Sequence, residues 1–499
     1  MKKLLLTVVG ALSFGAAHSQ EISTFDALRY AQDNFNGTAR FRAMGGAFGA
    51  LGGDLSSINV NPAGSAVFVN NQFGATLANF STNTDSNYFG TSTSENNNSF
   101  DLNQAGAVFV FDNDDENSGW RKLTLAINYE NQLLDNRLFA AGTNPTNSIS
   151  GYFLNFANMD GGIPLSTITN NPYENLFFEE QQAFLGYEAY IINPSDTGNG
   201  TPYTSNIPGG GNYYQENSME AVGYNGKVTF NAATQYKDKW YFGLNLNSHF
   251  TDYRQVNSIY ESNSNDPATG AQRTRFTNEL YTYGTGFSFG LGTIAKVTNE
   301  IRLGLAYESP TWFTLYDELQ QSIGTAFIGE GGDLEEVIVD PGIINVYEGY
   351  RLQTPGKWTG SFAYVFGKSG LISVDYTLKD YSNTKFGPTS DYHDLNTEMA
   401  NTLDTTNEIR VGAEYRVKDF SFRGGFRNEQ SPFKNTEIMG DLTGYSAGIG
   451  YNFGDTKLDI AYSYSQRDYQ QSFLTSGLTD PADYKAVNNN VSLTLLFEL

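Results

Sequence analysis

The sequence predicts an all-β fold: a transmembrane antiparallel β-barrel of about 14 strands with an N-terminal hatch, or plug, inside it. Three observations predict it. The chain ends NNNVSLTLLFEL, with Val491, Leu493, Leu495, Phe497 and Leu499 on one face and Ser492, Thr494, Leu496 and Glu498 on the other. Such a closing strand can face lipid and pair with the first. The number of period-two runs is even, as a closed barrel with both ends on one side requires. Short and long connections also alternate along the chain, which is the outer-membrane pattern.

Composition agrees. The 499 residues include 36 Phe, 32 Tyr and 52 Gly but no Cys, which suits strand faces and aromatic girdles. The mean hydropathy of −0.40 does not argue against a barrel, because only every second strand residue meets lipid. Without Cys there is no disulfide framework, lipoprotein anchor or thiolate metal site. The net charge of −24 disfavours nucleic acid and anionic surfaces as partners. Small neutral or amphipathic ligands remain.

Residues 1–19 read as a signal peptide: Lys2 and Lys3, an apolar run over 4–17, and small residues Ala17 and Ser19 before a cut after Ser19. Residues 20–65 read as the hatch. Within it, GTARFRAMGGAFGALGGDLSSINVNPAG over 37–64 is dense in Gly and Ala and too irregular for a strand or a long helix. Residues 66–499 are the barrel. Alternating runs lie near 66–80, 99–111, 119–131, 217–236, 239–255, 276–297 and 299–313, then 345–366, 369–385, 404–417, 419–427, 440–453, 456–469 and 488–499. The largest loop is 132–216, with other long ones near 314–344, 386–403 and 470–487.

The pleat assigns faces. Trp240, Phe242, Leu244 and Leu246 face lipid, turning Tyr241, Asn245, Asn247 and His249 inward. Tyr281, Tyr283, Phe287, Phe289 and Leu291 face out, so Gly284, Gly286, Gly290 and Gly292 form an inward stripe. That stripe either admits the hatch or bends the wall. Inward ionisable residues include Arg302, Glu308, Asp375, Lys379, Arg410, Glu414, Arg416, Arg423, Arg427, Asp459 and Arg467. Most of these are expected to pair with one another and with the hatch. A sharper reading has Arg410, Arg423 and Arg427 meeting a ligand carboxylate, for which a guanidinium fork is well shaped.

Other chemistry is thin. With only three His, no His-rich metal site is available, and neither a metal nor a cofactor is expected. A hydrolase built on His249 and a nearby serine such as Ser248 is the weakest reading, and the protein is read as no enzyme. The run DNDDEN at 112–117 lacks the Gly and distal Glu of a calcium loop and reads as a solvated turn. In the large loop, ENLFFEEQQAFLGYEAYI sets Phe177, Phe184 and Leu185, with Gln181, roughly along one helical side, beside Phe178. They form either a satellite core or an external groove that captures a hydrophobic ligand.

The Gly/Ala-rich segment ending in Asn61, Pro62, Ala63 and Gly64 resembles the hatch of the FadL/TodX family of outer-membrane hydrophobic-compound transporters. The blocks IRLGLAYESPTWF from Ile301, TPGKWTGSFAYVFGKSGLISVDYTLKDYS and EIRVGAEYRVKDFSFRGGFRNEQSPF are similar to that family's barrel. The resemblance implies a multi-pass barrel in the outer membrane of a Gram-negative cell, with both termini periplasmic. It also implies passive, hatch-gated transport of hydrophobic compounds, long-chain fatty acids first, with lateral exit through the wall into outer-membrane lipid. The barrel is expected to be a monomer, having no free sheet edge. A protein-binding shuttle or secretion-machinery component, with a protein partner, is the alternative.

Overall fold

The computed structural model describes residues 22–33, 35–115, 117–195, 201–265, 270–328 and 332–499; the segment read as a signal peptide lies outside them. Fourteen antiparallel strands close on themselves. They are β1 (Gln72–Tyr88), β2 (Thr91–Asp112), β3 (Trp120–Leu133, resuming as Asn136–Asn144), β4 (Tyr213–Tyr236), β5 (Trp240–Asn263) and β6 (Gly270–Lys296). Then come β7 (Ile301–Glu308, resuming as Trp312–Ile328), β8 (Tyr350–Gln353, resuming as Lys357–Phe366), β9 (Gly370–Asp380) and β10 (Thr405–Val417). The wall ends with β11 (Phe420–Glu429), β12 (Leu442–Asn452), β13 (Thr456–Ser472) and β14 (Pro481–Glu498). Closure is made by β1 against β14, in register from Gln72 opposite Glu498 to Asn87 opposite Asp483.

The pleat places the side chains as its period requires. On β14, Val491, Leu493 and Leu495 are exposed on the outer face, while Ser492 and Thr494 are buried on the inner one. On β5, Trp240, Phe242, Leu244 and Leu246 point out, and Tyr241, Asn245, Asn247 and His249 point in. A continuous outer belt of such exposed apolar residues has lipid as its natural solvent. Among the described residues no helix is long and apolar enough to cross a membrane.

At the end opposite the short turns, several strands reach further than their alternation suggests. β1 and β2 form one long hairpin turning at Phe89 and Gly90, across 81–98, where SENNNS carries no apolar face. β3 runs to Asn144 and β4 starts at Tyr213, so the largest loop spans 145–212. β7 continues to Ile328, past Pro310. A strand that has left the bilayer has nothing greasy to face, so period two vanishes from its sequence while its ladder persists. Pro310 and Pro355 interrupt neighbouring strands, yet Thr354 N–H donates to the Thr311 carbonyl at 3.0 Å, and Thr311 N–H to Thr354 Oγ1 at 3.0 Å. The wall stays sealed there.

The lumen is filled by the N-terminal segment. Helix α1 (Thr24–Ala31) starts with a capping box between Ser23 and Asp26. It packs Ala27, Leu28 and Ala31 against Phe313, Leu315, Tyr350 and Leu352 of the wall. Helix α2 (Ala39–Ala43) is capped by Thr38, whose Oγ1 accepts from Phe41 N–H at 3.1 Å. Two 3-10 turns, Leu55–Asn59 and Pro62–Val67, complete the hatch before β1. Over the far mouth, Ile149, Phe153, Leu185, Ile191 and Tyr203 of the long loop pack with Tyr88 of the β1–β2 tip and with Phe473, Leu474 and Leu478 as one apolar cluster.

Candidate functional site: the hatch, the lumen and a break in the wall

The hatch is seated through the residues singled out in its terminal motif. Asn61 is the N-cap of its 3-10 turn, its Oδ1 accepting from Ala63 N–H at 3.1 Å. Its Nδ2 donates to the Gly49 carbonyl at 2.7 Å and to the Thr293 carbonyl of β6 at 3.0 Å, tying the hatch to itself and to the wall. Pro62 opens the turn, where a missing N–H costs nothing, and its carbonyl accepts from Asn231 Nδ2 at 2.9 Å. The Gly64 carbonyl accepts from Gly53 N–H at 3.0 Å.

Wall glycines make the seat. A Cβ on Gly243 would lie 2.2 Å from the Pro62 carbonyl carbon, and one on Gly292 would lie 2.0 Å from Asn61 Oδ1. Gly290 faces Pro62 as well. For this half of the inward stripe, room for the hatch is the explanation; Gly284 and Gly286 instead face Thr314 and Phe313 of the adjoining strand. On the opposite wall, Gly412 and Gly425 let the hatch backbone at Met44 and Gly45 approach just as closely.

Ion pairs occupy most of the charged lumen. Glu414 receives Arg40 of the hatch at 2.9 Å, together with Arg416 at 2.5 Å and Arg423 at 2.6 Å. Arg423 also meets Asp459 at 2.5 Å. Glu408 is shared by Arg410 at 2.8 Å and Arg427 at 2.6 Å, and Arg427 reaches Glu429 at 2.6 Å. The three arginines proposed from sequence as carboxylate binders thus each hold an internal carboxylate. Asp33 bridges Lys357 at 3.0 Å and Lys379 at 2.9 Å. Burial opposes its charge, yet those two ammonium groups hold its carboxyl well below the usual range. Asp375 accepts the backbone N–H groups of Phe48 and Gly49 at 2.9 and 3.0 Å.

Two inward arginines stand outside these pairs: Arg302, whose Nη1 donates to the Leu51 carbonyl at 2.9 Å, and Arg42, which the sequence reading passed over. Arg42 is 1% exposed, has no carboxylate partner among the described residues, and its Nε and Nη1 have no hydrogen-bond acceptor. In ARFRA it stands two residues from Arg40, so a single helical turn sends the two guanidinium groups to different sides.

Two of the lumen's cavities lie toward the break in the wall. The upper, of about 440 Å³, is lined by Phe25, Phe80, Leu134, Leu138, Met219 and Met439 among others. The lower, of about 220 Å³, is lined by Phe35, Arg42 and Tyr445. Phe80, Gln132, Leu442, Arg467 and Asn490 line both, so the two are contiguous.

The upper cavity reaches a break in the wall. β2 and β3 are in register from Asp112 opposite Lys122 to Gln104 opposite Glu130, and pairing stops there, although β1 and β2 remain paired to Tyr88 and Thr91. Below the break, Asn103 Nδ2 donates to the Asn131 carbonyl at 3.1 Å. Above it, Thr93 Oγ1 donates to the Phe139 carbonyl at 2.6 Å. Between these closures, Asn97 and Ser99 of β2 and Leu134, Asp135 and Asn136 of β3 border the cavity. β3 is itself interrupted at Leu134 and Asp135, which bond to Gly223 of β4: Leu134 N–H to its carbonyl at 2.8 Å, and its N–H to Asp135 Oδ1 at 3.2 Å.

The loop aromatics divide. Phe178 and Leu185 are buried in the cluster that caps the mouth and Phe184 packs against it, while Phe177 stands exposed before the helix Phe178–Glu188. Phe177 therefore does not share the buried side held by Gln181 and Leu185. His249 Nε2 lies 3.0 Å from Ser288 Oγ, not beside Ser248, and no carboxylate bonds to its ring among the described residues. No group of three or more His, Cys, Asp or Glu there is arranged to hold a metal.

A closed fourteen-stranded barrel with a greasy outer belt and its own N-terminal segment as a plug defines an outer-membrane protein of the plugged-barrel class. The model of the outer membrane protein transport protein family (OMPP1/FadL/TodX) matches residues 194–491, more than half of the chain. The chain belongs to this family. A Pseudomonas aeruginosa FadL homologue of solved structure is 12% identical, with 93% of this chain and 98% of that one covered at a TM-score of 0.52. The P. putida toluene transporter TodX is 13% identical, with 93% and 99% covered at a TM-score of 0.53. At such identity the likeness shows the fold. No curated protein matches the chain. The family is one of transport proteins, and TodX is a toluene transporter.

Proposed function

We propose that the barrel moves hydrophobic compounds, long-chain fatty acids first, passively into the outer membrane. In this reading the compound enters at the long-loop end, rests in the cavity above the hatch and leaves sideways between β2 and β3. Both chain ends then lie toward the periplasm, and a shift of the hatch around Asn61 gates the passage. The observation that carries it is the break in the wall, which opens from a cavity of mixed polar and apolar lining while the hatch fills the lumen below. Physics favours the sideways route, since each CH₂ kept out of water is worth about 0.8 kcal/mol and a watery pore forfeits that gain.

The test is uptake of a labelled fatty acid and of toluene by cells that rely on this barrel. Bulky Asn97→Trp with Ser99→Trp at the inner edge of the break should cut uptake several-fold while the barrel still assembles. Unchanged uptake with a folded barrel sinks the lateral route. Failure of the unmodified protein to raise uptake of either compound sinks transport of this class, and a co-purifying protein would then move the reading to a shuttle.

A further inference from the structure

Beyond the bilayer the wall ends in a free edge. The strand Leu334–Val339 returns antiparallel along the end of β7, from Ile323 opposite Val339 to Ile328 opposite Leu334. No described strand pairs with its other side. In an antiparallel ladder every second residue turns its N–H and C=O away from its neighbour, so this side offers a row of free donors and acceptors. The segment is held from behind. Val339 and Ile343 pack against the apolar cluster that caps the mouth, and Asn345 Nδ2 donates to Gln181 Oε1 of the loop helix at 2.9 Å.

The outer face of this strand reads apolar, acidic, apolar. Leu334 is 50% and Ile338 81% exposed, with the exposed Glu336 between them, and Ile338 is the most exposed large apolar side chain among the described residues. Lipid does not account for it. Ile338 lies opposite Gly324, eight residues along β7 from Tyr316, whose ring stacks on that of Tyr283 at 5.4 Å in the outer belt. At about 3.3 Å per residue that is roughly 25 Å further along the strand. Charge is the second property: residues 324–350 carry Glu330, Asp333, Glu335, Glu336, Asp340 and Glu348 but no Lys or Arg. By register the cation in line with Glu336 is Arg273, two strands away across Ala326, or roughly 10 Å. Such a surface repels a second copy of itself, so another barrel is not the strand that completes it. Blunting an edge needs charge alone, and that account leaves the exposed Leu334 and Ile338 unexplained.

We propose that Leu334–Val339 is a docking edge for an extended segment of another protein, which adds antiparallel as one more strand. Its apolar residues would lie opposite Leu334 and Ile338, and its Lys or Arg opposite Glu335 and Glu336. The edge acts independently of what the lumen carries. The probe is a fluorescein-labelled peptide, Gly-Thr-Val-Thr-Lys-Lys-Val-Gly, followed by anisotropy with the detergent-purified full-length protein. Salt is kept at about 0.15 M, where exposed charges alone act weakly, and an unrelated barrel supplies the background. A fully N-methylated counterpart keeps the charge but has no N–H to donate. The expected result is at least tenfold tighter binding of the first peptide than of the second. Glu335→Lys with Glu336→Lys should weaken binding at least tenfold and Ile338→Asp several-fold, with heat-modifiable gel mobility showing that both variants are folded. Equal binding of the two peptides reduces the edge to a charged surface and overturns the proposal. Absence of binding above background overturns it too, as does binding that survives the paired Lys substitutions. A purified protein that elutes as a dimer, and that Ile338→Asp returns to a monomer, gives the edge to a second copy and overturns it as well.

Discussion

Asn61 Nδ2 donates to the Thr293 carbonyl at 3.0 Å, so a side chain of the hatch is bonded to the backbone of the barrel wall. The same amide bonds to Gly49, and its oxygen caps the turn that begins at Pro62. One side chain thus fixes the turn, the hatch fold and the seat. Asn61→Ala removes all three at once, costing about 1 kcal/mol for the cap and a similar amount for each buried partner left unpaired. The barrel wall has its own ladder and is expected to assemble normally, with heat-modifiable mobility unchanged. Uptake of a labelled hydrophobic compound is expected to fall several-fold, because the hatch no longer returns to one position. Unaltered uptake would remove Asn61 from the gate.

Glycine in the wall supplies the complementary prediction. Gly292→Leu or Gly243→Val would place side-chain atoms where Pro62 and Asn61 now sit. The neighbours at Gly243 are backbone atoms, which have no rotamer by which to escape. The hatch is therefore expected to be displaced while β5 and β6 stay paired. Limited proteolysis should report it, with new cleavage inside 37–67 in the variants and none in the unmodified protein. An uncut hatch would show that the close approach relaxes by a small wall movement instead.

The barrel was legible because lipid writes a period of two into every strand it touches, from Phe73 on β1 to Leu495 on β14. The hatch was legible because Gly and Ala dominate where two backbones meet. Strand ends beyond the bilayer were not, since SENNNS on β2 has no apolar face to betray it. The break in the wall escaped for a different reason. Trp120–Asn131 holds no Gly or Pro, and the interruption sits just past it, with the accommodating glycine, Gly223, on the facing strand β4. A missing ladder is a relation between strands and leaves no mark within one of them. The same holds for charge: Arg410, Arg423 and Arg427 looked available because their partners Glu408, Glu414, Glu429 and Asp459 are fixed by register. Arg42 looked ordinary because its isolation is visible only in three dimensions.

Acid should loosen the N-terminal segment through Asp33. Its carboxyl has an ordinary value of 3.8 and is held well below that in the fold, with Lys357 and Lys379 outweighing burial. The sign follows from linkage: a depressed carboxyl contributes stability that is fully present above its unfolded value and is lost as pH falls through its folded one. The thermal midpoint of the purified barrel should therefore carry this group's full contribution, without pH dependence from it, between pH 5 and 8 and should decline below about pH 4. Asp33→Asn leaves Lys379 with the Ala31 carbonyl and the face of the Tyr381 ring but no carboxylate among the described residues and is expected to cost about 3 kcal/mol near neutrality. It should also flatten the decline below pH 4. An equally steep acid limb in the variant would assign that limb to other carboxylates.

The loop aromatics separate packing from capture. Leu185 is fully buried among the residues that close the long-loop mouth, so Leu185→Ala is expected to cost about 2–5 kcal/mol of that cluster's stability. Phe177 is 59% exposed, and Phe177→Asn is expected to change stability by no more than about 0.5 kcal/mol. If the outer loops catch a hydrophobic ligand before it enters, Phe177 is the member of this group with surface to offer. Phe177→Asn should then slow ligand capture by the intact barrel at an unchanged thermal midpoint, and adding Phe184→Asn should slow it further. Stopped-flow quenching of a fluorescent fatty acid measures the rate. Identical rates in a folded Phe177→Asn protein would leave these aromatics as the core of a lid, and would place the first contact of the ligand in the lumen.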